Sequence, residues 1–318
     1  MRDAFIRALT EAALADPRIV LLTGDLGFGV LEHFEQRCPR QYVNAGVAEQ
    51  NMTALAAGLA LEGRVAFTYS IANFTTLRCL EQIRNDACYH EANVNIVSVG
   101  GGLSYGPLGP THHATEDLAI MRALPGMVVF APNDDGEVAA GLPALIDHPG
   151  PSYIRLDRAS VMSPAVDDLP FALGRARRLR EGDDVTLVAC GGMAGEALAA
   201  AETLQRQGLS CRVLSMHTIR PLDTDALIEA AAETGGIVTI EEHSTIGGLG
   251  TACADALLDL GVAPHRFCKI ALPSAFTTVV GSQAFLRRHY RIDAGAIAAR
   301  VAALLGVTQQ PRLTETVG

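Results

Sequence analysis

Tryptophan is missing from this 318-residue chain, which holds only ten phenylalanines and six tyrosines. Small residues take their place, with 31 glycines and many alanines, so the composition is that of a globular protein whose helices and strands approach closely. Positive charge is in deficit, 25 Lys and Arg against 35 Asp and Glu. The net charge of −10 argues against a nucleic acid or an anionic membrane surface as partner. Any anionic substrate needs a local basic patch against that field. No uncharged run approaches the roughly 20 residues of a membrane span. The N-terminal stretch MRDAFIRALTEAALADPR is amphipathic and charged, unlike a secretory signal. The seven cysteines, at 38, 79, 88, 190, 211, 253 and 268, are odd in number and form no CxxC pair. That pattern predicts free thiols in a reducing cytoplasm and no metal site of this chain's own. Low-complexity tracts and internal repeats are also absent.

What is present is an alternation of short apolar runs and helical patterns, long enough for two domains. The expected fold class is α/β: two successive doubly wound domains with mainly parallel sheets. In the first, the helical face Phe5, Ile6, Leu9, Ala12 and Ala13 precedes the strand run IVLLT (19–23). QYVNA (41–45) leads into a helix beginning near Glu49, and RVAFTY (64–69) follows. One helix is expected over 74–90, then strands at 94–100, 127–132 and 152–156. These uncharged strand runs read as buried on both faces. Periodicity fades near Pro164, Pro170 and the basic RARRLREGDD. The expected division is therefore a first domain over 1–165, a linker over 166–183, a second domain over 184–307, and a frayed tail over 308–318.

Two features invite a chemical reading. In VNAGVAEQNM (43–52) a lone acid, Glu49, stands at the mouth of an uncharged helix. An acid there is favoured by the helix dipole, worth about 0.3–1 kcal/mol when exposed, so catalysis is one of two explanations. The loop GGGLSYGPLGPTHH (100–113) is expected to leave backbone N–H groups open to a ligand and ends in His112 and His113. GGMAG (191–195) lacks a full GxGxxG or a P-loop lysine and reads as a tight strand-to-helix turn. GGLG (247–250) reads likewise, with Glu242 and His243 behind it in a structural or interface role.

Taken together these segments resemble the C-terminal half of a transketolase. GVAEQNMTALAAGLALEG (46–63), FTYSIANFTTLRCLEQIRN (67–85) and GPLGPTHHATEDLAIMRALPGM (106–127) are similar to three ordered family motifs. APNDDGE (131–137) and IEEH with GGLG (240–250) extend the likeness over essentially the whole chain. The resemblance implies a pyrimidine-binding domain followed by a transketolase C-terminal domain, and thiamine diphosphate chemistry. It gives Glu49 the role of hydrogen-bonding N1′ of the cofactor's aminopyrimidine, favouring the imino tautomer that deprotonates thiazolium C2. A partly desolvated carboxylate suits such proton sharing. Phe74 matches an aromatic that packs on the pyrimidine, and Ile71 falls where a second aromatic is usual. Arg78 matches the arginine of the following turn. His112 matches a histidine facing substrate oxygens, and Arg158 an arginine that often holds the substrate's phosphate or distal end.

The departures are equally specific. Pro107 and Leu108 replace the acidic pair that precedes GPTH in sugar-phosphate transketolases. Gly100 stands where a second active-site histidine is common, and Gly29 where a phosphate-binding serine often sits. The family's GDG with a downstream asparagine, which holds Mg²⁺ and the diphosphate, is not found. The resemblance therefore implies a split transketolase, with a separate diphosphate-binding subunit and an α2β2 assembly. A two-carbon ketol unit would pass from a small-molecule donor to an acceptor. The rivals are a β-type subunit of a 2-oxoacid dehydrogenase, a thiamine enzyme loading a carrier protein, and a non-catalytic regulatory paralogue.

Overall fold

The computed structural model describes residues 1–157 and 170–307. The first half contributes strands β1 (Ile19–Thr23), β2 (Tyr42–Asn44), β3 (Val65–Ile71), β4 (Val94–Val99), β5 (Val128–Phe130) and β6 (Ser152–Leu156). The second half contributes β7 (Arg177–Arg180), β8 (Val185–Ala189), β9 (Cys211–Ser215), β10 (Thr218–Arg220), β11 (Ile237–Ser244) and β12 (Phe267–Leu272). They form a seven-stranded sheet in the order β10-β5-β6-β4-β3-β1-β2 and a five-stranded sheet in the order β12-β11-β8-β9-β7. Pairing is parallel except where β10 meets β5 and β7 meets β9. All residues of β1, β3, β4 and β8 are buried, as central parallel strands with helices on both faces require.

One face of the first sheet packs on Phe5, Leu9, Phe34 and Leu142. On the other, Met52, Ala56, Ile83, Leu118 and Met121 belong to an apolar cluster that runs on to Val188, Leu214 and Leu249 of the second half. Strand β10 crosses over as well, so the two halves share both core and sheet.

Two segments differ from expectation. Residues 177–180, read as linker, form the outer strand β7, whose arginines suit a solvent-facing edge. The single helix expected over 74–90 is broken. It divides into a helical turn at Ala72–Thr75, a 3₁₀ turn at Leu77–Cys79, a turn at Leu80–Gln82 and a π-helical segment at Ile83–Cys88. The break falls at Thr76, whose backbone leaves helical geometry at φ −107° and ψ −79° while its N–H and its hydroxyl both still donate to the Ala72 carbonyl, at 3.0 and 2.6 Å.

Among the described residues no helix is long and apolar enough to cross a membrane. The expected tail, 308–318, and Arg158 lie outside the described residues.

Candidate active site

Strand order in the first sheet reverses between β1 and β3, and ligands of open α/β sheets bind beyond the carboxyl ends of strands at such a switch point. The chain delivers its candidate residues there. Gly24 follows β1, Glu49 follows β2, Asn73 and Phe74 follow β3, and Gly100 follows β4.

Glu49 is the first residue of the helix Glu49–Leu61 and is buried at 4% exposure. Gly24 packs beside it: a methyl there would crowd the Gly46 carbonyl at 3.2 Å and touch Glu49 Cγ at 3.4 Å. Its Oε2 accepts a hydrogen bond from Arg78 Nη1 at 2.8 Å, while Oε1 has no hydrogen-bond partner among the described residues. The break at Thr76 turns Arg78 toward this carboxylate. The guanidinium lies 4.6 Å from the centre of the Phe74 ring, a cation–π contact. Phe74 in turn meets the His112 ring edge-on at 5.2 Å. Glu49, Arg78, Phe74 and His112 thus form one chain of contacts. Ile71 closes β3 three residues before Phe74 and is buried, without joining that chain.

The loop 100–113 holds His112 in a way its glycines did not announce. Gly101 to Ser104 are buried, not open to a ligand. A methyl on Gly101 would lie 2.7 Å from Arg155 Nε, and one on Gly102 would lie 2.6 Å from Glu242. Close packing therefore accounts for these glycines. Arg155 is itself buried and paired with Asp117 at 2.8 Å. Glu242 reaches over from β11 and accepts from the Leu103 backbone N–H at 2.5 Å, from Gln283 at 2.8 Å, and from Arg287. Asp157, behind the loop, has its carboxyl held above the usual range by burial and then by the Glu242 charge.

Asn73, which carries no signal of its own in the sequence, donates to the carbonyls of Thr111 at 3.2 Å and His113 at 2.5 Å. Thr111 Oγ1 lies 2.9 Å from His112 Nδ1. His113 points elsewhere. It is buried, its Nε2 lies 3.3 Å from the Gly106 carbonyl, and burial lowers its pKa. His243 is fully buried and contacts the Ser244 carbonyl at 2.8 Å, while Glu241 accepts from the amides of Leu249 and Gly250 at the start of a helix. Gly29 caps Glu32 through its N–H at 2.8 Å, and the concavity beside it is lined by Asp25, Glu32 and Glu35.

Residues 1–164 match the family described as transketolase, pyrimidine binding domain, and residues 174–297 match transketolase, C-terminal domain. Similar chains include a 6-deoxy-6-sulfo-D-fructose transketolase subunit of Clostridium sp. (strain MSTE9), 39% identical over 93% of this chain and 92% of the relative. Another is an apulose-4-phosphate transketolase subunit of Phocaeicola vulgatus, 39% identical over 92% of this chain and 93% of the relative. A solved structure described as a split gene transketolase, inactive beta4 tetramer, aligns with a TM-score of 0.85 at 38% identity. The alignment covers 96% of this chain and 98% of that one. The chain belongs to the transketolase family. Its two domains are that family's pyrimidine-binding and C-terminal domains.

Proposed function

We propose that this chain is the pyrimidine-domain subunit of a two-chain, thiamine diphosphate-dependent transketolase. It moves a two-carbon ketol unit from a donor to an acceptor together with a separate subunit that binds the diphosphate and Mg²⁺, in a cytoplasmic α2β2 assembly. The observation that carries this reading is Glu49: a buried carboxylate at the switch point, with one oxygen held by Arg78 and the other uncommitted.

A pyrimidine fits these residues and a diphosphate does not. Oε1 of Glu49 can share a proton with a ring nitrogen, and Phe74 supplies an aromatic surface beside it. The concavity beside the loop 24–29 is instead lined by Asp25 and by Glu32 and Glu35 of the helix Glu32–Arg37, charges that repel a diphosphate. That repulsion supports assigning the diphosphate end of the cofactor to a second chain. Phe28, Val47, Leu55 and Leu77 stand exposed in the segments that carry the site, an apolar rim suited to burial against such a chain.

When bound, thiamine diphosphate supplies the carbon that accepts the two-carbon unit. Glu49 holds the proton partnership with the aminopyrimidine, and Arg78 fixes its orientation. In the tautomer whose Nδ1 accepts from the Thr111 hydroxyl, the ring N–H lies on Nε2. That N–H stabilises the substrate oxygen that gains negative charge. Arg158 is assigned to the substrate's distal anion.

Calorimetry tests the division of labour. The isolated chain is expected not to bind thiamine diphosphate tightly, whereas the reconstituted pair does so with Mg²⁺. Tight Mg²⁺-dependent binding by this chain alone would contradict the two-chain reading. Ketose phosphates and 2-oxoacids offered in parallel then separate transketolase activity from the dehydrogenase-type rival.

A further inference from the structure

Gly100, directly after β4, has a positive φ of 90°, a conformation that favours glycine, and its N–H is tied to the Leu156 carbonyl at 2.8 Å. A methyl group built there would meet Cδ2 and Cε2 of Tyr105 at 2.2 Å, far inside contact distance. The Tyr105 ring therefore occupies the space that any side chain at 100 would take. Its backbone is held in turn, since the Leu108 N–H donates to the Tyr105 carbonyl at 2.8 Å, and its ring packs against the core cluster that holds Val99 and Tyr69. From that seat the ring meets His112 edge-on at 6.3 Å and 63°. Phe74 meets the same imidazole at 5.2 Å and 64°. Thr111 holds Nδ1.

We infer that Tyr105, seated against the missing side chain of Gly100, is a positioning residue for His112. Phe74 and Tyr105 limit rotation of the imidazole between them, and Thr111 fixes which nitrogen faces outward. The glycine at 100 is then accounted for by its backbone, at a φ of 90°, and by the ring, without a ligand. The aromatic body of Tyr105 carries the effect, so phenylalanine should replace it and alanine should not. Gly100 and Tyr105 should also act as one unit. A side chain at 100 strains the φ of 90° in either background, but it reaches His112 by displacing the ring and loses that leverage once the ring is gone. Only the kinetic part of the test rests on the proposed role of His112 in transfer.

The direct test is long-range proton–nitrogen NMR of the full chain labelled at its nine histidines, with His112 assigned by the signal lost in His112→Gln. Tyr105→Ala is expected to shift and broaden the His112 signals, and Tyr105→Phe to leave them in place. Gly100→Ala should shift them strongly in the parent and add little in the Tyr105→Ala background, the non-additivity of residues in contact. Should Tyr105→Ala fail to fold, Tyr105→Leu tests the same loss of an aromatic edge. In the reconstituted two-chain enzyme Tyr105→Ala should lower kcat about tenfold with KM little changed, and Tyr105→Phe should restore it. The inference is overturned if the alanine or leucine variant leaves the His112 signals unmoved. It is equally overturned if Gly100→Ala acts alike with and without the ring. A parent pair that transfers no ketol unit contradicts the proposed function, while the NMR result still decides the clamp.

Discussion

Removing the Glu242 carboxylate should loosen the loop that carries His112, although Glu242 belongs to the C-terminal domain. The carboxylate is buried and accepts from Leu103 N–H, Gln283 and Arg287. In Glu242→Ala the Leu103 amide loses its acceptor inside the protein, which costs about 1–3 kcal/mol. Breaking a buried ion pair costs about 3–5 kcal/mol when one partner is left bare. Here Arg287 keeps Glu196 at 3.2 Å, and Asp157 is relieved of a neighbouring negative charge. These reliefs bring the expected net cost of the whole change to about 3 kcal/mol. Because the clasp holds one loop, local opening is the better readout than global unfolding. Hydrogen exchange at the Leu103 amide should quicken about a hundredfold in Glu242→Ala, since about 1.4 kcal/mol is a factor of ten. Glu242→Gln keeps an acceptor oxygen and should show a smaller change. Exchange in Glu242→Ala within about threefold of the parent would refute the clasp.

Three further expectations concern the site and its support. Asn73→Ala removes both ties to the 111–113 segment and should cost about 1–2 kcal/mol, with faster exchange across 111–114; unchanged exchange there would contradict the assignment. His217, fully buried and stacked on Phe171 at 4.5 Å, has its pKa pushed down to about 3 by burial and then by Arg177. The folded state thus refuses a proton that the unfolded state takes, so stability is held above pH 6.5 and about 5 kcal/mol is lost on acidification to pH 3. Glu137, raised to about 7 by burial, works in the opposite sense: its contribution is greatest below pH 4.5 and falls by about 3 kcal/mol as pH rises to 7. The two slopes cancel between pH 4.5 and 6.5. Urea titrations of Glu137→Gln should therefore reveal a loss of about 1.4 kcal/mol per pH unit on acidification through that window, and a flat profile would show that His217 is not the opposing group.

Much of the framework was legible because buried parallel strands write themselves as short uncharged runs, as IVLLT and VNIVSV do. The mouth of the Glu49 helix was legible for a similar reason, since one charge stands out against an apolar stretch. What escaped depends on contacts distant in sequence. Thr218–Arg220 is too short for periodicity and becomes a strand only because β5 offers it an edge. The basic run at 177–180 carries the polarity of a linker, yet such polarity is also what an edge strand needs. The breaks in 74–88 are local departures of the backbone from helical geometry, beginning at Thr76, that the apolar pattern does not reveal. Gly100 was legible as a departure, but the ring that fills its place comes from five residues on. The glycines at 101 and 102, expected to open the loop to a ligand, serve instead the close approach of Arg155 and Glu242.

The central claim is that Glu49 is the proton partner of a cofactor shared between two chains. Its most direct test is the rate of proton–deuterium exchange at C2 of thiamine diphosphate, followed by quenched-flow NMR in the reconstituted pair. Glu49→Gln keeps the size of the side chain and removes the shared proton. It should leave assembly intact and slow exchange by about 10² to 10⁴, the range for loss of a positioned acid–base group. Exchange at the parent rate in an assembled Glu49→Gln pair would contradict the claim and return Glu49 to a helix-dipole residue.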